Sequence, residues 1–304
     1  MHNIIHTFAK LKPGLTKYLY TKQEQIMPDS TVSVIIPCYK GENFINNCLK
    51  MLTEQTYKAL EIIVIIDGVY DRSEEIAKEY PVKIIRFEEN KGLSAGRNAG
   101  IDAATGKYIH FLDIDDKINS DFYKNLVEAI EETGSDISCA GMYSEQQDYQ
   151  SQIFNKRKVA VSTREKLKLT WVSKWGYVWR YLFRLDFLKK TGVRFEEGRI
   201  MEDLLFSFKN LYYASKIASA PGALYFYAKT PGSILNSQSK EAAQKRREDI
   251  RHAVRQLNDF AKEKKIKLPG RSKDFDKLHY ILRKYWTKLF KKKANQKYIE
   301  RFSF

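Results

Sequence analysis

Cysteine is scarce. Cys38, Cys48 and Cys139 are the only three in 304 residues, and no CxxC pair occurs. That excludes a disulfide framework or a cysteine zinc cage and points to a reducing cytosol. Each thiol reads as a small buried hydrophobe. Long apolar runs are missing too: nothing approaches the roughly 18 residues that a membrane-spanning helix needs. The first twenty residues lack a continuous apolar stretch and a small-residue cleavage site, so they do not read as a secretory signal. Seven prolines and 15 glycines are too few for a collagen-like or low-complexity chain. The patterns GxxxxGK[ST], GxSxG and HExxH are all absent, which removes P-loop NTPases, serine hydrolases of that type and zincins.

What is present suits a globular protein. Apolar residues make up 43% of the chain, enough to bury a sizeable core at this length. The length allows one large α/β domain with an appendage, or two modest domains. The net charge is +16, but it is unevenly spread. Residues 240–304 hold 21 Lys and Arg against 8 Asp and Glu, a net +13. Residues 1–30 add +2, which leaves 31–239 near +1. The body therefore lacks the basic field of a nucleic-acid enzyme. The tail suits an anionic lipid surface or another polyanion.

Hydrophobic patterning predicts strands over 32–36, 61–66, 82–87, 108–112 and 136–140, each a short β-branched or apolar run. Helical patterns fall between them, over 43–54, 71–80, 94–104 and 121–133. Such alternation predicts a mostly parallel sheet covered on both faces, with ligands bound beyond the carboxyl ends of the strands. The residues that follow the strands are polar or acidic: Cys38-Tyr39, Asp67-Gly68, Asn90-Lys91-Gly92 and Asp113-Ile114-Asp115-Asp116.

After residue 141 the alternation stops. Residues 142–158 read as a polar loop or hairpin. Residues 171–187 are crowded with aromatics, 201–213 look helical, and 224–228 suit a strand. The tail reads as two amphipathic helices separated by Pro269-Gly270. The first places Ile250, Ala253, Val254, Leu257, Phe260 and Ala261 on one face. The second does the same with Phe275, Leu278, Leu282, Tyr285, Trp286 and Leu289.

Three acids within four residues repel one another unless a positive charge sits among them. Asp113, Asp115 and Asp116 stand at a strand end, where a magnesium or manganese ion shared with substrate phosphates would relieve that repulsion. Away from a strand end, the same residues would be a solvated acidic turn. Asp67 is placed either to meet a base or ribose or simply to shape a turn before Gly68. Tyr39 is placed to stack on a base or to pack. Arg97, in the run Gly92 to Gly100, is suited to a phosphate or to a structural ion pair. Glu202 and Asp203 open a helix, where the dipole favours acids and where one of them could serve as a general base.

Taken together, VSVIIPCYKGENFINNCLKMLTEQTY, EIIVIIDGVYD, NKGLSAGRNAGI, GKYIHFLDIDD and MEDLLF make the chain resemble the bacterial family 2 nucleotide-sugar glycosyltransferases over about residues 31–227. The resemblance implies a GT-A type α/β fold, with a mostly parallel nucleotide-binding sheet flanked by helices, followed here by a basic helical C-terminal appendage. It implies a nucleotide-sugar half (31–140), an acceptor half (141–239), an N-terminal extension (1–30) and a tail (240–304). It further implies inverting, metal-dependent transfer of a hexose or N-acetylhexosamine from a UDP-sugar donor. The acceptor would be a hydroxyl of a cell-surface glycan such as lipopolysaccharide, capsule or exopolysaccharide, and the metal Mn2+ or Mg2+. Tyr39 and Asp67 would contact the base, Arg97 would lie near the ribose or diphosphate, and Asp113 and Asp115 would form the DxD element. Asp115 or Asp116 would reach the metal. Asp203 would be the catalytic base, with Glu202 beside it. Two positions depart from the family pattern: Lys40 stands where Asn is common, and Ile66-Asp67-Gly68-Val69 stands where the family usually has DDGS.

The aromatic segment would line the acceptor subsite or form a core, and Arg180 and Arg184 would meet an anionic acceptor or stay solvated. The location expected is cytoplasmic, with no nucleic-acid partner. The first tail helix would pack on the catalytic domain, and the second, with Trp286, Phe290 and the lysines at 291–293, would lie on the inner face of an anionic membrane or stay a solvated basic face. The rival reading is a non-catalytic GT-A sugar-nucleotide-binding or scaffold protein. A sugar nucleotidyltransferase would need a Gly-rich loop after the first strand, and PCYKGEN is not one.

Overall fold

A computed structural model describes residues 30–68, 71–144, 150–172, 176–228 and 240–268. The N-terminal extension, Trp175, the second tail helix and the triple-lysine run at 291–293 lie outside the described residues. The strands are β1 (Val32–Cys38), β2 (Leu60–Asp67), β3 (Lys83–Phe87), β4 (Tyr108–Phe111), β5 (Lys117–Ile118), β6 (Ile137–Ser144), β7 (Gln150–Gln152), β8 (Val159–Ala160), β9 (Tyr181–Arg184) and β10 (Ile217–Tyr227). The α-helices are α1 (Ile45–Thr53), α2 (Ser73–Ala77), α3 (Leu93–Ala103), α4 (Phe122–Thr133), α5 (Thr163–Thr170), α6 (Leu185–Thr191), α7 (Glu202–Tyr213) and α8 (Lys240–Glu263).

All ten strands join one sheet, ordered β3-β2-β1-β4-β9-β6-β10-β5, with β7 on β6 and β8 on β10. β3, β2, β1 and β4 pair in parallel. Both sides of β1 are buried, so its alternation sorts residues between two cores rather than between core and water. Val32, Val34 and Ile36 pack with α1, α2 and α4, whereas Ile35 packs with α3 and α7. Gly100 allows α3 to lie directly on β1: a Cβ there would stand 2.1 Å from Ile35 Cγ2.

The expected fifth strand does not extend this parallel set. β9, from the aromatic segment, runs antiparallel to both β4 and β6 and separates them. Tyr181 and Phe183 on β9 are therefore core residues. Residues 142–158 include the hairpin partner β7, antiparallel to β6. β10 is longer than the expected strand over 224–228. A bulge between Ala220 and Leu224 carries it past Pro221 and Gly222, which read locally as a turn.

α8 packs on α7 and shares the second core. Leu257 is fully buried, and Phe260 sits edge-on to Phe208 and Tyr212. Ile250, expected on the packed face, is exposed instead, and the buried polar residue beside it is Asp249. All three cysteines are buried free thiols. Among the described residues no helix is long and apolar enough to cross a membrane.

Candidate active site

The parallel strands end at one edge, and the expected site residues follow them. After β1, Tyr39 is about half exposed, and Lys40 has a positive φ of 51° that carries the chain away from the sheet. After β2, Gly68 has a φ of 69° and abuts the loop before α3. Asp67 turns into that loop. Its two carboxylate oxygens accept the backbone N–H groups of Lys91 at 2.7 Å and Gly92 at 2.9 Å. The structure thus gives Asp67 a local role, shaping the entry to α3.

The turn after β4 holds the acid cluster, and its three members differ. Asp116 is buried. It accepts the Tyr225 hydroxyl at 2.8 Å and the Ala228 N–H at 2.9 Å, one on each oxygen. Burial, followed by the charges of Asp113 and Asp115, pushes its carboxyl well above the ordinary range. Asp113 keeps about a quarter of its side chain exposed and pairs with Arg97 at 2.8 Å. Asp115 is partly exposed at the turn.

Arg97 joins this turn to the head of α7. Its Nη2 donates to Asp113, and its Nη1 donates to Glu202. The guanidinium is nearly inaccessible and lies 5.4 Å from the centre of the Phe195 ring. Burial opposes its charge, but Asp113 and Glu202 outweigh that and hold it protonated. A fork-shaped cation that bonds two separate carboxylates is a task for Arg rather than Lys. Of the two sequence alternatives, the structure places Arg97 in an ion-paired bridge.

Glu202 and Asp203 are the first two residues of α7, after Met201 at a φ of 66°. A non-glycine residue in the left-handed region is uncommon and tends to mark a constrained position. Gly176 lets the preceding loop press on this turn, since a Cβ there would meet Leu204 Cα at 2.3 Å. Glu202 is committed to Arg97. Asp203 is only partly buried, and its carboxyl is pushed up to about 7 by burial and by the neighbouring Glu202 charge, against the pull of Arg97. A carboxylate near neutrality is poised to take up or release a proton.

The aromatic segment expected to line the acceptor subsite or form a core supplies half of an aromatic wall, and only the other half, Tyr225 and Tyr227 on β10, was missed in the sequence. Tyr177, Trp179 and Tyr225 stack, with centroids 4.8 and 4.1 Å apart, and Tyr227 leans on the first two. Tyr225 also accepts the Asp113 N–H at 3.3 Å, which ties the stack to the acid turn. His110 steadies it from below: the Trp179 carbonyl accepts from Nε2 at 2.8 Å, and Nδ1 faces the Tyr123 hydroxyl at 3.1 Å. Burial lowers the His110 pKa to about 4, so it stays neutral. Tyr177 and Tyr227 are the partly exposed members, whereas Trp179 is buried. Alternating aromatics in Leu224–Tyr227 were the available signal. Arg180 is wholly buried and bonds the carbonyls of Thr170 and Ala140, so neither reading of it as an acceptor contact nor as a solvated residue holds. Arg184 pairs with Asp186.

Among the described residues no three His, Cys, Asp or Glu side chains converge as a metal cage. The donor set at the turn still fits a hard cation of the magnesium type. Such ions take one or two carboxylates and complete their shell with water and substrate phosphates. Asp113 and Asp115 are the residues that would hold one.

A parallel half-sheet ending in an acid turn, with an acid-headed helix brought to the same edge, is the layout of a GT-A fold. The profile of Glycosyl transferase family 2 matches residues 33–195, more than half of the chain, and the chain belongs to that family. The glycosyltransferase EpsJ of Bacillus subtilis is 34% identical over 222 residues, covering 69% of this chain and 64% of its own. The glycosyltransferase GlyA of Streptococcus pneumoniae is 31% identical over 228 residues, covering 69% of this chain and 32% of its own. The chain thus spans less than two thirds of either relative. The crystal structure of S. aureus TarS 1–349 in complex with UDP matches with a TM-score of 0.59 at 25% identity, over 72% of this chain and 70% of that one.

Proposed function

We propose that the protein is a metal-dependent, inverting glycosyltransferase that moves a hexose or N-acetylhexosamine from a UDP-linked donor to a hydroxyl of a cell-surface glycan. The observation that carries this reading is the Arg97 bridge. By engaging Asp113 and Glu202 it leaves Asp203 as the near-neutral carboxylate beside the acid turn. The binding of UDP by TarS supports the choice of nucleotide.

Asp203 takes the proton of the acceptor hydroxyl as its oxygen attacks the anomeric carbon. The new glycosidic bond forms while the bond from that carbon to the diphosphate oxygen breaks. The nucleoside diphosphate leaves from the opposite face, so the configuration inverts with no covalent intermediate. Asp113 and Asp115 would hold a divalent cation, which when bound would supply charge stabilisation for the diphosphate. Asp116 holds the turn through Tyr225 and Ala228 rather than serving as a ligand. Tyr39 stacks on the base, and Asp67 fixes the loop that faces the nucleoside. Tyr177 and Tyr227 offer aromatic faces to a sugar.

Residues 31–239 act as the catalytic body, with 240–304 as a basic appendage. The net +13 of that appendage supports a place on the inner face of an anionic membrane, close to a lipid-linked acceptor. The test is release of free nucleoside diphosphate from a panel of nucleotide sugars with Mn2+, Mg2+ or EDTA. Metal-dependent release from one donor supports the proposal. If no donor is turned over and UDP shows no metal-dependent binding, the proposal fails.

A further inference from the structure

The segment 194–201, which leads into the acid pair, is gripped from two sides. On one side α3 holds it: the Asn98 side chain bonds both the carbonyl and the N–H of Phe195 at 3.0 Å, and Arg194 pairs with Asp102 at 2.7 Å. On the other side stands α8, which lies beyond the span of the family profile. Asp249 of α8 is 1% exposed, and among the described residues its carboxylate bonds this segment and the lysine one turn earlier. It accepts Arg199 Nη1 at 2.8 Å, the Ile200 N–H at 3.2 Å and Lys245 Nζ at 3.1 Å. Lys245 also donates to the Gly198 carbonyl at 3.0 Å, and His252 meets Glu196 at 2.9 Å. A cavity of about 30 Å³ beneath the segment is lined by Met201 and Glu202 on one side and His252 and Ala253 on the other.

We propose that Asp249 is a positioning residue for the general base. By fixing Arg199 and the Ile200 N–H, it holds the backbone that enters the left-handed Met201 turn and thereby sets where Asp203 stands. Burying a carboxylate is costly unless it is paired and hydrogen-bonded, and among the described residues Asp249 meets both conditions through this segment and Lys245. Through Asp249, α8 thus positions the base from outside the catalytic body, and the inference rests on the transferase reading above.

The experiment compares Asp249→Ala with Phe260→Leu in the full chain. Phe260 packs the same helix on Phe208 and Tyr212 and makes none of the hydrogen bonds that hold the segment, so its variant reports loss of helix packing. Asp249→Ala is expected to lower kcat by about 10- to 100-fold, the scale of a misplacement near 1 Å. UDP affinity should stay within about twofold, and the acid limb of the pH–rate profile should shift, because that limb belongs to the base. Amide hydrogen exchange from Ile200 to Leu204 should quicken in Asp249→Ala and stay unchanged in Phe260→Leu. Should Asp249→Ala fail to fold, Asp249→Asn and the partly exposed Arg199→Ala carry the same comparison with smaller losses. The proposal is overturned if the Asp249 variants keep wild-type kcat and pH profile, or lose no more than Phe260→Leu at equal thermal stability. Unchanged exchange in the Asp249 variants also overturns it. A wild-type protein that turns over no donor defeats the transferase reading itself; the exchange comparison then still decides whether α8 holds the segment.

Discussion

From β3 to β4 every strand neighbour is parallel, and each crossover is a short helix back over the sheet. From β9 to β5 the sheet is mixed: β9 and β5 run against their neighbours, and β10 reaches β6 across a bulge. The first half brings Tyr39, Asp67 and the acid turn to one edge by topology alone. The second half brings Asp203 to that edge only through specific long-range contacts, chiefly Arg97 to Glu202, Gly176 against Leu204 and the strapped segment 194–201. A parallel α/β half can thus set a nucleotide-type edge almost automatically. Asp203 has to be carried there by side chains.

The sharpest way to separate the halves is to remove one acid from each. Asp203→Asn should cut kcat by about 10²–10⁴, the usual contribution of a general base, while UDP binding stays intact. Asp115→Ala should do the reverse and weaken metal-dependent UDP binding, whereas Asp116→Asn should lower unfolding stability more than it changes binding. Cutting the link between the halves is next in size. Arg97→Ala leaves Asp113 and Glu202 uncompensated and should cost about 3–5 kcal/mol in urea unfolding. Arg97→Lys should recover little of it, because one ammonium cannot reproduce the two-carboxylate fork.

Two glycine substitutions compare the halves directly. Gly100→Ala overpacks α3 on Ile35 and Gly176→Ala overpacks the loop on α7, each costing about 1–3 kcal/mol. Only Gly176→Ala should also lower kcat at saturating donor, because it displaces the turn that bears Asp203. Equal kcat losses in the two variants would erase the distinction between the halves. The smallest effect is on pH. The folded pKa of Asp203 is raised, so its contribution to stability is complete below its unfolded value and is lost as pH rises through about 7. Asp203→Asn should therefore gain on wild type in melting temperature as pH rises from about 4 to about 7, the interval between the unfolded and folded values, and the gain should level off above that. His110 works in the opposite direction. Its folded pKa is depressed to about 4, so its contribution is present above about 6.5 and is lost as pH falls towards 4.

The same contrast explains what could be read from the chain. β1 to β4 and helices α1, α3 and α4 follow from runs such as VSVII and EIIVII and from glycines at helix ends, because their partners lie close in sequence. β9 did not, since Tyr181 and Phe183 alternate like any aromatic segment and only the pairing with β4 and β6 makes them a strand. β10 was seen in part because Pro221-Gly222 reads as a turn unless a neighbouring strand absorbs the bulge. α5 carried a local signal that went unused: Ser162 and Glu165 form a capping box at its start. Among the candidate residues, the acids at strand ends were visible as a pattern. The division of labour within the acid turn was not, because it depends on Tyr225 and Ala228, more than a hundred residues away. Nor was Asp249 visible, since an acid among the charges of a basic helix looks solvated until its partners are known.

In the proposed mechanism the acid turn holds the donor and Asp203 activates the acceptor. One paired measurement tests it: Mn2+-dependent UDP titration by calorimetry, together with single-turnover sugar transfer, on wild type, Asp115→Ala and Asp203→Asn. The account predicts that Asp203→Asn binds UDP as wild type does but transfers almost nothing, and that Asp115→Ala loses the metal-dependent part of binding. Near wild-type transfer by Asp203→Asn, or metal-dependent binding unchanged in Asp115→Ala, would contradict it.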